Sequence, residues 1–383
     1  MTRPPGAVPA PGGAARRPAT SVVRPVVLRK LADELAAEAS SALLRRGSSA
    51  LTFMEVCGTH TMAIARFGLR DLLPLEVRLI SGPGCPVCVT AMGDLDKVIA
   101  LARLPEVTLT TFGDLIRVPA SRSTLAAERA AGADVRVVYS ARDAVEIAAA
   151  EPERQVVFAG IGFETTAPTV AAALLEAQAR GLSNFSVLSM HKTMPLPLKA
   201  LLELGETEIS GFILPGHVSV VTGSACYEFL ASDRGVGGVI AGFEAHDVLR
   251  ALLLLVRQTD PAIEIEYGRA VRAEGNVVAQ RLLAQVFAPC DADWRGLGVI
   301  PGSGLCLREE YATFDAERRF AVEPGESLEP AGCRCGEVLR GVLDPAECAL
   351  FGVRCTPEDP VGACMVSSEG ACAARYRYRG IDD

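Results

Sequence analysis

Apolar runs of strand length alternate with helical patterns between about residue 50 and residue 260. A run of about four to eight apolar residues bounded by turn residues predicts a strand, whereas apolar positions three and four apart predict a helix. The predicted strands cover residues 51–56, 77–80, 107–110, 135–139, 155–159, 185–188, 211–214 and 236–240. The predicted helices cover residues 61–69, 93–103, 125–131, 141–150, 168–180, 219–230 and 245–258.

This alternation predicts an α/β protein with parallel sheets and helices on both faces. About eight strands fit one sheet or two smaller ones, and the new glycine-rich loop at Gly160 favours two doubly wound lobes, 25–150 and 151–290. A long helical pattern covers residues 268–287.

The two ends of the chain lack this periodicity. Segment 291–383 is rich in Gly, Pro and Cys and poor in apolar patterning, so we expect a small C-terminal iron–sulfur domain organised by its metal cluster. Residues 1–24 are of low complexity, and we expect them to form a disordered extension.

Composition and charge restrict the classes of function. Apolar residues make up 49% of the 383 residues and charged residues 22%, as in ordinary globular proteins. The formal net charge is -8 and no long basic stripe occurs, so nucleic acid and anionic membranes are poor candidates for partners. The longest strongly apolar stretch, around residues 251–256, is far shorter than the roughly 18 residues of a membrane-spanning helix.

The twelve cysteines are placed unevenly. Three lie early in the chain, three are scattered, and six crowd into the tail. The N-terminal residues are rich in Pro, Ala, Gly and Arg and lack the apolar core of about 7–15 residues that an export signal has. We therefore expect a cytoplasmic protein whose clustered cysteines are metal ligands or redox thiols.

The first candidate site combines two strand-to-helix turns. Cys57 follows the first predicted strand in Cys-Gly-Thr-His, with His60 three residues later. Cys85 and Cys88 follow the second predicted strand after Ser-Gly-Pro-Gly. Consecutive parallel strands joined by one helix end at the same edge of a sheet, so we expect the three thiols to converge there. A nearby helix N-terminus is expected to lower the pKa of Cys57.

These residues have structural alternatives. A buried cysteine is commonly a small core residue, and one Cys-x-x-Cys pair is also half of a zinc site. No second pair lies within the ~12–20 residues that such a zinc site needs, and thioredoxin-like motifs lack an upstream Cys-Gly-Thr-His. Functional thiols are therefore favoured at Cys57, Cys85 and Cys88. His60 fits a turn residue and a ligand or proton carrier equally well.

The tail is the second candidate site. Its six cysteines, with no histidine among them, favour an iron–sulfur cluster, and a zinc ion held by four thiolates is the alternative. Two cysteines beyond those that a cluster needs indicate a neighbouring redox pair, an arrangement that resembles ferredoxin–thioredoxin reductase. That resemblance implies Cys335 and Cys372 as the redox pair or as alternative ligands, and as cluster ligands Cys333, Cys348, Cys355 and Cys364.

Further polar residues follow strands in the middle of the chain. Gly160-Ile-Gly162-Phe-Glu164-Thr-Thr opens a helix as anion-binding loops do, but it lacks the third glycine of a dinucleotide fingerprint. A loop that lines the cleft between the lobes is favoured over a nucleotide site. His191, Lys192 and His217 are expected to face the same cleft or to be structural turn residues.

The remaining candidates are weaker. Asp94 is expected to be a helix-start carboxylate with, at most, a part in proton transfer, and Cys226 a core residue on an apolar helical face. Cys290 and Cys306 are solitary in the sequence and receive no role.

Taken together, the motifs resemble the hydrogenase formation protein family HypD. They are Phe-Met-Glu-Val-Cys57-Gly-Thr-His60-Thr, Ser-Gly-Pro-Gly-Cys85-Pro-Val-Cys88, Gly160-Ile-Gly-Phe-Glu-Thr-Thr, Leu214-Pro-Gly-His-Val and Pro360-Val-Gly-Ala-Cys364-Met-Val-Ser-Ser-Glu-Gly-Ala-Cys372. The resemblance runs from about residue 25 to residue 383, and only the Pro- and Ala-rich extension lies outside it.

The resemblance implies a maturation scaffold for [NiFe] hydrogenase, with two α/β lobes, a C-terminal [4Fe-4S] domain and a cleft where the Fe(CN)2CO unit is assembled. Cys57 would hold the iron with a thiolate of the small chaperone HypC, and HypE would donate cyanide. Cys85 and Cys88 would pass reducing equivalents or retain the iron transiently. Thiolates are soft ligands that suit such iron. We expect a monomer that enters a hetero-complex and acts as a scaffold with redox activity.

Two other functions compete with this interpretation. The Cys85/Cys88 pair and the surplus tail cysteines would also suit an iron–sulfur thiol–disulfide oxidoreductase that acts on a protein substrate. A nucleotide-dependent enzyme rests on Gly160 and Gly162 alone.

Overall fold

Parallel strands form the two larger sheets of the protein, whose computed structural model describes residues 25–378. In chain order the strands are β1 Leu51–Glu55, β2 Val77–Ser81, β3 Val107–Thr111, β4 Val135–Val137, β5 Gln155–Gly162, β6 Phe185–His191, β7 Gly211–Pro215, β8 Gly237–Ala241, β9 Ile263–Ile265, β10 Phe287–Trp294 and β11 Gly298–Leu307. The predicted α/β class is confirmed. The predicted extension, residues 1–24, lies outside the described residues.

Helices connect the strands and cover the sheets. In chain order they are α1 Pro25–Arg46, α2 Gly58–Arg66, α3 Pro86–Val89, α4 Met92–Ala102, α5 Leu125–Ala130, α6 Ala141–Ala150, α7 Ala167–Ala179, α8 Pro195–Leu204, α9 Gly216–Thr222, α10 Glu228–Ser232, α11 Ala245–Arg257, α12 Val277–Val286, α13 Ala316–Arg319, α14 Cys335–Leu339, α15 Ala363–Val366 and α16 Ala371–Arg377. Short 3-10 helices lie at Leu69–Leu72, Gly113–Leu115, Ala225–Tyr227, Glu309–Phe314 and Pro345–Glu347. Within residues 25–378, no helix has both the length and the apolar character needed to cross a bilayer.

The strands are divided between two parallel sheets. Sheet I has the order β2–β1–β7–β8–β9, and sheet II has the order β4–β3–β5–β6. Strands β1, β3, β7 and β8 are buried along their whole length, as expected where helices cover both faces of a parallel sheet. Sheet I is therefore built from both ends of the α/β region, and sheet II from its middle.

The predicted lobes 25–150 and 151–290 do not coincide with these sheets. β3 pairs with β5 across the predicted boundary, for example through Leu109↔Val157. β1 pairs with β7, for example through Met54↔Phe212. The chain completes β1 and β2, builds sheet II, and returns to sheet I with β7. Apolar periodicity shows that a segment is a buried strand but not which strand it pairs with, so the boundary could not be derived from it.

Glycine interrupts two segments that were predicted as continuous helices. The pattern over residues 268–287 yields α12 alone, because Gly275 has a φ of +67° and Asn276 caps the helix by accepting two backbone amides at 3.1 Å. The predicted helix 219–230 breaks at Gly223, whose φ is +77°. A left-handed residue ends a helix even where the apolar spacing continues.

The N-terminal helix α1 was not identified from the sequence. It packs against α11 and places Leu35, Ala39 and Ala42 in the core, where all three are fully buried. This helix covers one face of sheet I.

An antiparallel hairpin, β10–β11, occupies a segment where no regular structure was expected. The two strands pair along their length, with an irregularity after Cys290. β11 lies against the edge of sheet II, where the Ser189 hydroxyl donates to the Leu305 carbonyl at 2.6 Å. The Thr193 amide donates to the Ser303 carbonyl at 2.8 Å. The hairpin therefore protects the β6 edge of sheet II.

The cysteine-rich tail is a small unit of short helices. Helices α14, α15 and α16 are five, four and seven residues long. The local core of the tail consists of Phe351, Cys355, Met365 and Ala373. α16 packs against α2, while α14 and α15 pack against α3. The tail therefore lies against the two helices that follow β1 and β2.

Candidate functional site

The turns after β1 and β2 lie side by side at the carboxyl edge of sheet I. The two strands pair in parallel along all of their residues. Beyond them, the amide of Gly58 donates to the carbonyl oxygen of Gly84 at 2.9 Å. A Cβ at Gly84 would lie 2.2 Å from the backbone nitrogen of Cys57, so this approach requires glycine. The backbones that carry Cys57 and Cys85 are thus in contact.

Cys57 is the N-cap residue of α2, although its side chain accepts no capping hydrogen bond, and it is 8% exposed. Burial raises the pKa of its thiol to about 12, and the carboxyl groups of Glu369 and Glu55 add to the rise. The backbone amides of His60 and Thr59 act in the opposite direction. The prediction of a lowered pKa is therefore wrong, because desolvation outweighs the helix terminus. Without a metal this thiol is protonated at neutral pH, and a metal would displace the proton.

Cys85 and Cys88 form a disulfide at the start of α3, with a Cα–Cα distance of 5.2 Å. Cys85 is the N-cap residue, and the amide of Cys88 donates to its sulfur at 3.2 Å. In the reduced state the same amide would stabilise a thiolate on Cys85. The two residues are 3% and 0% exposed, so the surrounding core shields the pair from solvent.

Glu55 connects the two turns and was not identified from the sequence. Its carboxyl group accepts the amide of Cys57 at 3.2 Å and the hydroxyl of Thr61 at 2.6 Å. Burial raises the pKa of this carboxyl to about 7, although hydrogen bonds from Ser81 and Thr61 oppose the rise. The available signal was an acidic residue at the end of an apolar strand, because a buried carboxyl needs specific partners.

His60 is anchored to sheet I. Its Nε2 lies 3.2 Å from the carbonyl oxygen of Ala241 and 2.9 Å from that of Gly242. The ring packs on Phe243, with 4.7 Å between centroids, and burial lowers the pKa of His60 to about 4. The ring is therefore neutral, with Nε2–H donating. These contacts favour the structural alternative, and a ligand role stays a prediction for Nδ1, which has no hydrogen-bond partner within residues 25–378.

The tail cysteines surround a single apolar pocket. Its walls include Val338, Leu350, Phe351 and Met365, and the sulfur-bearing residues that line it are Cys333, Cys335, Cys348, Cys355, Cys364 and Cys372. This donor set contains sulfur alone, as iron–sulfur clusters and four-thiolate zinc sites require. Six thiols exceed the four that either centre takes. The residues therefore fit a cluster with a thiol pair beside it.

The thiols in this pocket are not equivalent. Cys335 and Cys364 are 5% and 1% exposed, and a hydrogen bond joins their sulfur atoms. That bond, followed by the positive charge of Arg295, lowers the pKa of Cys335. Hydrogen bonds with Cys335 and Cys372 raise the pKa of Cys364. The shared hydrogen bond therefore shifts the two pKa values in opposite directions, and Cys335 is the more acidic thiol of the contacting pair.

The two candidate sites are neighbours. Helices α14 and α15, which carry Cys335 and Cys364, contact α3, which carries Cys88. These cysteines belong to one continuous hydrophobic core. On the other side of the turn, the Thr59 hydroxyl donates to the Glu369 carboxyl at 2.8 Å. Tertiary packing therefore joins two thiol groups that lie more than two hundred residues apart in the sequence.

A buried arginine lies between the two sites. Arg295 is 5% exposed, and its Nε donates at 3.1 Å to the carbonyl of Thr90, two residues after Cys88. Its Nη1 donates to Glu329 at 2.8 Å, while Nη2 has no hydrogen-bond partner in the described part of the chain. Its charge also acts on Cys335. Arg295 was not identified from the sequence, because its position depends on the hairpin.

Side chains of loop 160–166 pack against neighbouring residues of the protein. Phe163 stacks on Trp294, with 6.0 Å between ring centroids. Glu164 accepts the amide of Met194 at 3.0 Å, and burial raises the pKa of this carboxyl to about 7. A buried carboxyl group beside the loop is unfavourable for a phosphate, so the geometry weighs against the nucleotide alternative.

The other polar candidates lie on different sheets. Lys192, at the end of β6 in sheet II, is buried and pairs with Asp94 at 3.5 Å. Asp94 occupies the first turn of α4, as predicted. His191, at the same strand end, is also buried, and burial lowers its pKa to about 3. His217 packs on Phe243 beside sheet I, with 4.0 Å between ring centroids.

Three cysteines remain. Cys226 is half-buried in a 3-10 helix, and its thiol lies 3.8 Å from the carbonyl oxygen of Gly223. Cys290 and Cys306 form a disulfide with a Cα–Cα distance of 5.9 Å, so the interpretation of these two as solitary is wrong. They meet only because β10 and β11 pair in a hairpin that apolar periodicity did not reveal.

The fold and its sites define an α/β protein in which a buried Cys-x-x-Cys turn adjoins a pocket of thiols. The chain belongs to the HypD family: the sequence profile described as "Hydrogenase formation hypA family" matches residues 27–379. The family resemblance predicted from the motifs is thus confirmed.

Characterised relatives cover most of the chain. A "Hydrogenase maturation factor HypD" of Rhizobium leguminosarum bv. viciae is 52% identical over 337 residues, which span 85% of this chain and 88% of the relative. The "Hydrogenase expression/formation protein HupD" of Azotobacter chroococcum mcd 1 is 50% identical, over 91% of this chain and 93% of its own. The Escherichia coli "Hydrogenase maturation factor HypD" is 48% identical, over 89% and 93%.

Proposed function

We propose that this chain is a scaffold in [NiFe] hydrogenase maturation, on which an Fe(CN)2CO unit is assembled. The observation that carries the proposal is the contact between the Cys57 and Cys85 turns at one edge of sheet I, with the tail pocket packed against them. The hydrogenase maturation role in the names of the relatives supports it. By the family resemblance, the partners are the chaperone HypC and the cyanide donor HypE.

Cys57 is the proposed ligand of the iron, together with a thiolate from HypC. The hydrogen bond from the Cys57 amide to the Glu55 carboxyl group fixes the backbone that carries this thiol. A soft thiolate suits low-spin iron that carries cyanide and carbon monoxide. Iron binding would displace the thiol proton, and the amides of His60 and Thr59 would then offset part of the charge on sulfur.

Cys85 and Cys88 are the proposed redox pair of the assembly site. Their disulfide takes up two electrons and two protons to become a dithiol, and the Cys88 amide supports the thiolate form of Cys85. Because α3 contacts the helices that carry Cys335 and Cys364, reducing equivalents would have a short path between the two thiol pairs.

The tail pocket is the proposed site of a [4Fe-4S] cluster, which supplies one-electron redox chemistry when bound. The hydrogen bond between Cys335 and Cys364, together with their burial, favours these two as the thiol pair. The ligands would then be Cys333, Cys348, Cys355 and Cys372. This partition differs from the predicted one, in which Cys372 pairs with Cys335 and Cys364 is a cluster ligand. Substituting Cys364 by Ser distinguishes the partition proposed here, the first case, from the predicted one, the second. The cluster's visible absorbance is retained in the first case and lost in the second.

Infrared spectroscopy of the complex purified anaerobically with the small partner tests the scaffold. Cyanide and carbonyl stretching bands are expected from the unaltered chain. They should vanish in Cys57→Ala and persist in Cys226→Ala, which removes a half-buried thiol outside the site. The tail's visible absorbance should be unchanged in both variants, which controls for folding. Bands that persist in Cys57→Ala would refute the assignment of the iron ligand.

An iron–sulfur thiol–disulfide oxidoreductase is the second candidate, favoured by the Cys85–Cys88 disulfide. The exposures of 3% and 0% count against it, because a protein substrate must reach one of the sulfur atoms. Repeated turnover of a disulfide-bonded protein, with an electron donor present and abolished by Cys85→Ser, would favour this function over the scaffold.

A further inference from the structure

The disulfide of the β10–β11 hairpin is open to solvent at Cys306. Cys306 is exposed and Cys290 is half-buried, whereas the neighbours Leu305 and Leu307 are only 9% and 6% exposed. Successive side chains of a strand point to opposite faces. Leu305 and Leu307 of β11 therefore pack into the core beside sheet II, and Cys306, on the opposite face, is presented to water.

This exposure distinguishes the hairpin disulfide from Cys85–Cys88. Thiol–disulfide exchange requires an attacking thiolate to approach a sulfur atom, so access sets the rate when the chemistry is the same. Both sulfur-bearing residues of the Cys85–Cys88 pair are enclosed by the core. A dithiol from solution would therefore reach Cys306 first.

The disulfide also closes a covalent loop around the tip of the hairpin. Cys290 and Cys306 are 16 positions apart in the sequence, and the loop between them contains Trp294 and Arg295. Trp294 is fully buried and forms a backbone bridge with Thr90, next to α3. The enclosed loop therefore runs from the disulfide to the Cys-x-x-Cys turn.

The opposite side of the tip touches the tail. Gly296 packs directly against Gly336, the residue after Cys335. The hairpin tip, defined as residues 294–297, is thus wedged between the two thiol sites. The ladder between β10 and β11 is irregular just after Cys290, so the covalent link lies beside an interruption of the strand pairing.

We propose that Cys290–Cys306 is a reversible redox site, opened by a dithiol reductant, which controls how firmly the hairpin tip is held between the two thiol sites. A reductant thiolate attacks the sulfur of Cys306, forms a mixed disulfide and releases Cys290 as a thiolate. The second thiol of the reductant then attacks the mixed disulfide and releases Cys306. Two electrons pass from the dithiol, which becomes a disulfide, and its two protons end on the two cysteines.

The consequence for the tip follows from the closed loop. A covalent link limits the conformations open to the chain that it encloses, so cutting it raises local mobility most within the loop. Trp294 is the single tryptophan of the chain, which makes its fluorescence a specific reporter of this tip.

The test titrates the purified full-length protein anaerobically with dithiothreitol, followed by differential alkylation and peptide mapping. Cys290 and Cys306 are expected to become alkylated about tenfold faster than Cys85 and Cys88. Alkylation of Cys290 and Cys306 before any reductant is added would overturn the proposal, and so would equal rates for the two pairs.

Acrylamide quenching of Trp294 tests the coupling to the tip. The double variant Cys290→Ser/Cys306→Ser should raise the quenching constant by about twofold, because the tip opens more often. Cys226→Ser is the matched control and should leave the constant unchanged. The alkylation experiment on the unaltered chain does not depend on whether the double variant folds. If the disulfide opens while the quenching of Trp294 and the amide exchange at residues 294–297 stay unchanged, the claim that the disulfide controls how firmly the tip is held is overturned.

Discussion

The two thiol sites are built by different means, although they lie against each other. At the edge of sheet I, parallel strands and the hydrogen bond between Gly58 and Gly84 hold the backbones of Cys57 and Cys85 in contact. The tail has helices of at most seven residues and a core of few side chains. A large sheet can preorganise a site, whereas small cysteine-rich units commonly need a bound metal to fold, and this is tested below for the tail.

Metal removal should separate the two regions most strongly. After anaerobic chelation, we expect the amides of residues 333–378 to lose protection from hydrogen exchange, while those of β1 and β2 keep it. A structural metal contributes on the order of 10 kcal/mol to the folding of small metal-dependent units. Hydrogen exchange with mass spectrometry measures both regions at once. Protection of the tail that is unchanged by chelation would show that its fold does not need a metal.

Gly84→Ala should destabilise the site at the edge of sheet I. The new Cβ would lie 2.2 Å from the backbone nitrogen of Cys57, so the two turns must separate. We expect a loss of about 3 kcal/mol in the free energy of unfolding, measured by denaturant titration. Gly93→Ala is the matched control, because its nearest neighbour would be the Ser327 hydroxyl at 3.6 Å. Equal stability of the two variants would contradict the close contact of the turns.

Acid should lower the stability of the sheet I region by protonating His60. The tail contains no histidine, so this effect is absent there. Burial lowers the pKa of His60 to about 4, against about 6.5 in an unfolded chain. The unfolded state binds the proton more readily, so the stability from His60 is complete above pH ~6.5 and is lost as the pH falls toward ~4. The loss is at most about 3 kcal/mol.

Denaturant titrations between pH 4 and pH 7 measure this effect, with His60→Gln as the comparison. The variant should show a flatter dependence on pH, since His191, whose pKa burial also lowers, is present in both proteins. Identical pH profiles would mean that His60 is not enclosed as the structure has it.

Thr59→Val should have the smallest effect, because it removes one hydrogen bond between the two regions. The Thr59 hydroxyl donates to Glu369 at 2.8 Å, and Val keeps the shape of the side chain. We expect a cost of about 1 kcal/mol in unfolding free energy and faster exchange at the start of α16. Ser123→Ala, a substitution away from both sites, serves as control. An unchanged exchange rate in α16 would show that this bond does not link the regions.

Local sequence patterns predicted much of sheet I and its site. Residues 51–56 and 77–80 were expected to be strands, and β1 and β2 occupy Leu51–Glu55 and Val77–Ser81. The glycine-rich turns that carry Cys57 and Cys85 were expected at one edge, and their backbones touch there. These predictions succeeded because strand propensity, turn residues and the rule for parallel strands act over a few neighbouring residues or one crossover.

Long-range features were missed for a common reason. Glu55 and Arg295 matter because of what surrounds them, and Cys290 meets Cys306 because a hairpin forms. The expected fall in the pKa of Cys57 failed because the helix terminus was visible in the sequence while the burial was not. Desolvation depends on every residue packed around a group, most of which are distant in the chain.

The sequence by itself determined the α/β class, the positions of most strands, the thiol-bearing turns and the membership of the HypD family. The tertiary structure decided which strands share a sheet, which cysteines pair, and that the tail packs against α2 and α3. The physical reason is range: backbone propensity and turn chemistry are encoded locally, whereas pairing, burial and the pKa values that depend on it arise only when distant segments meet.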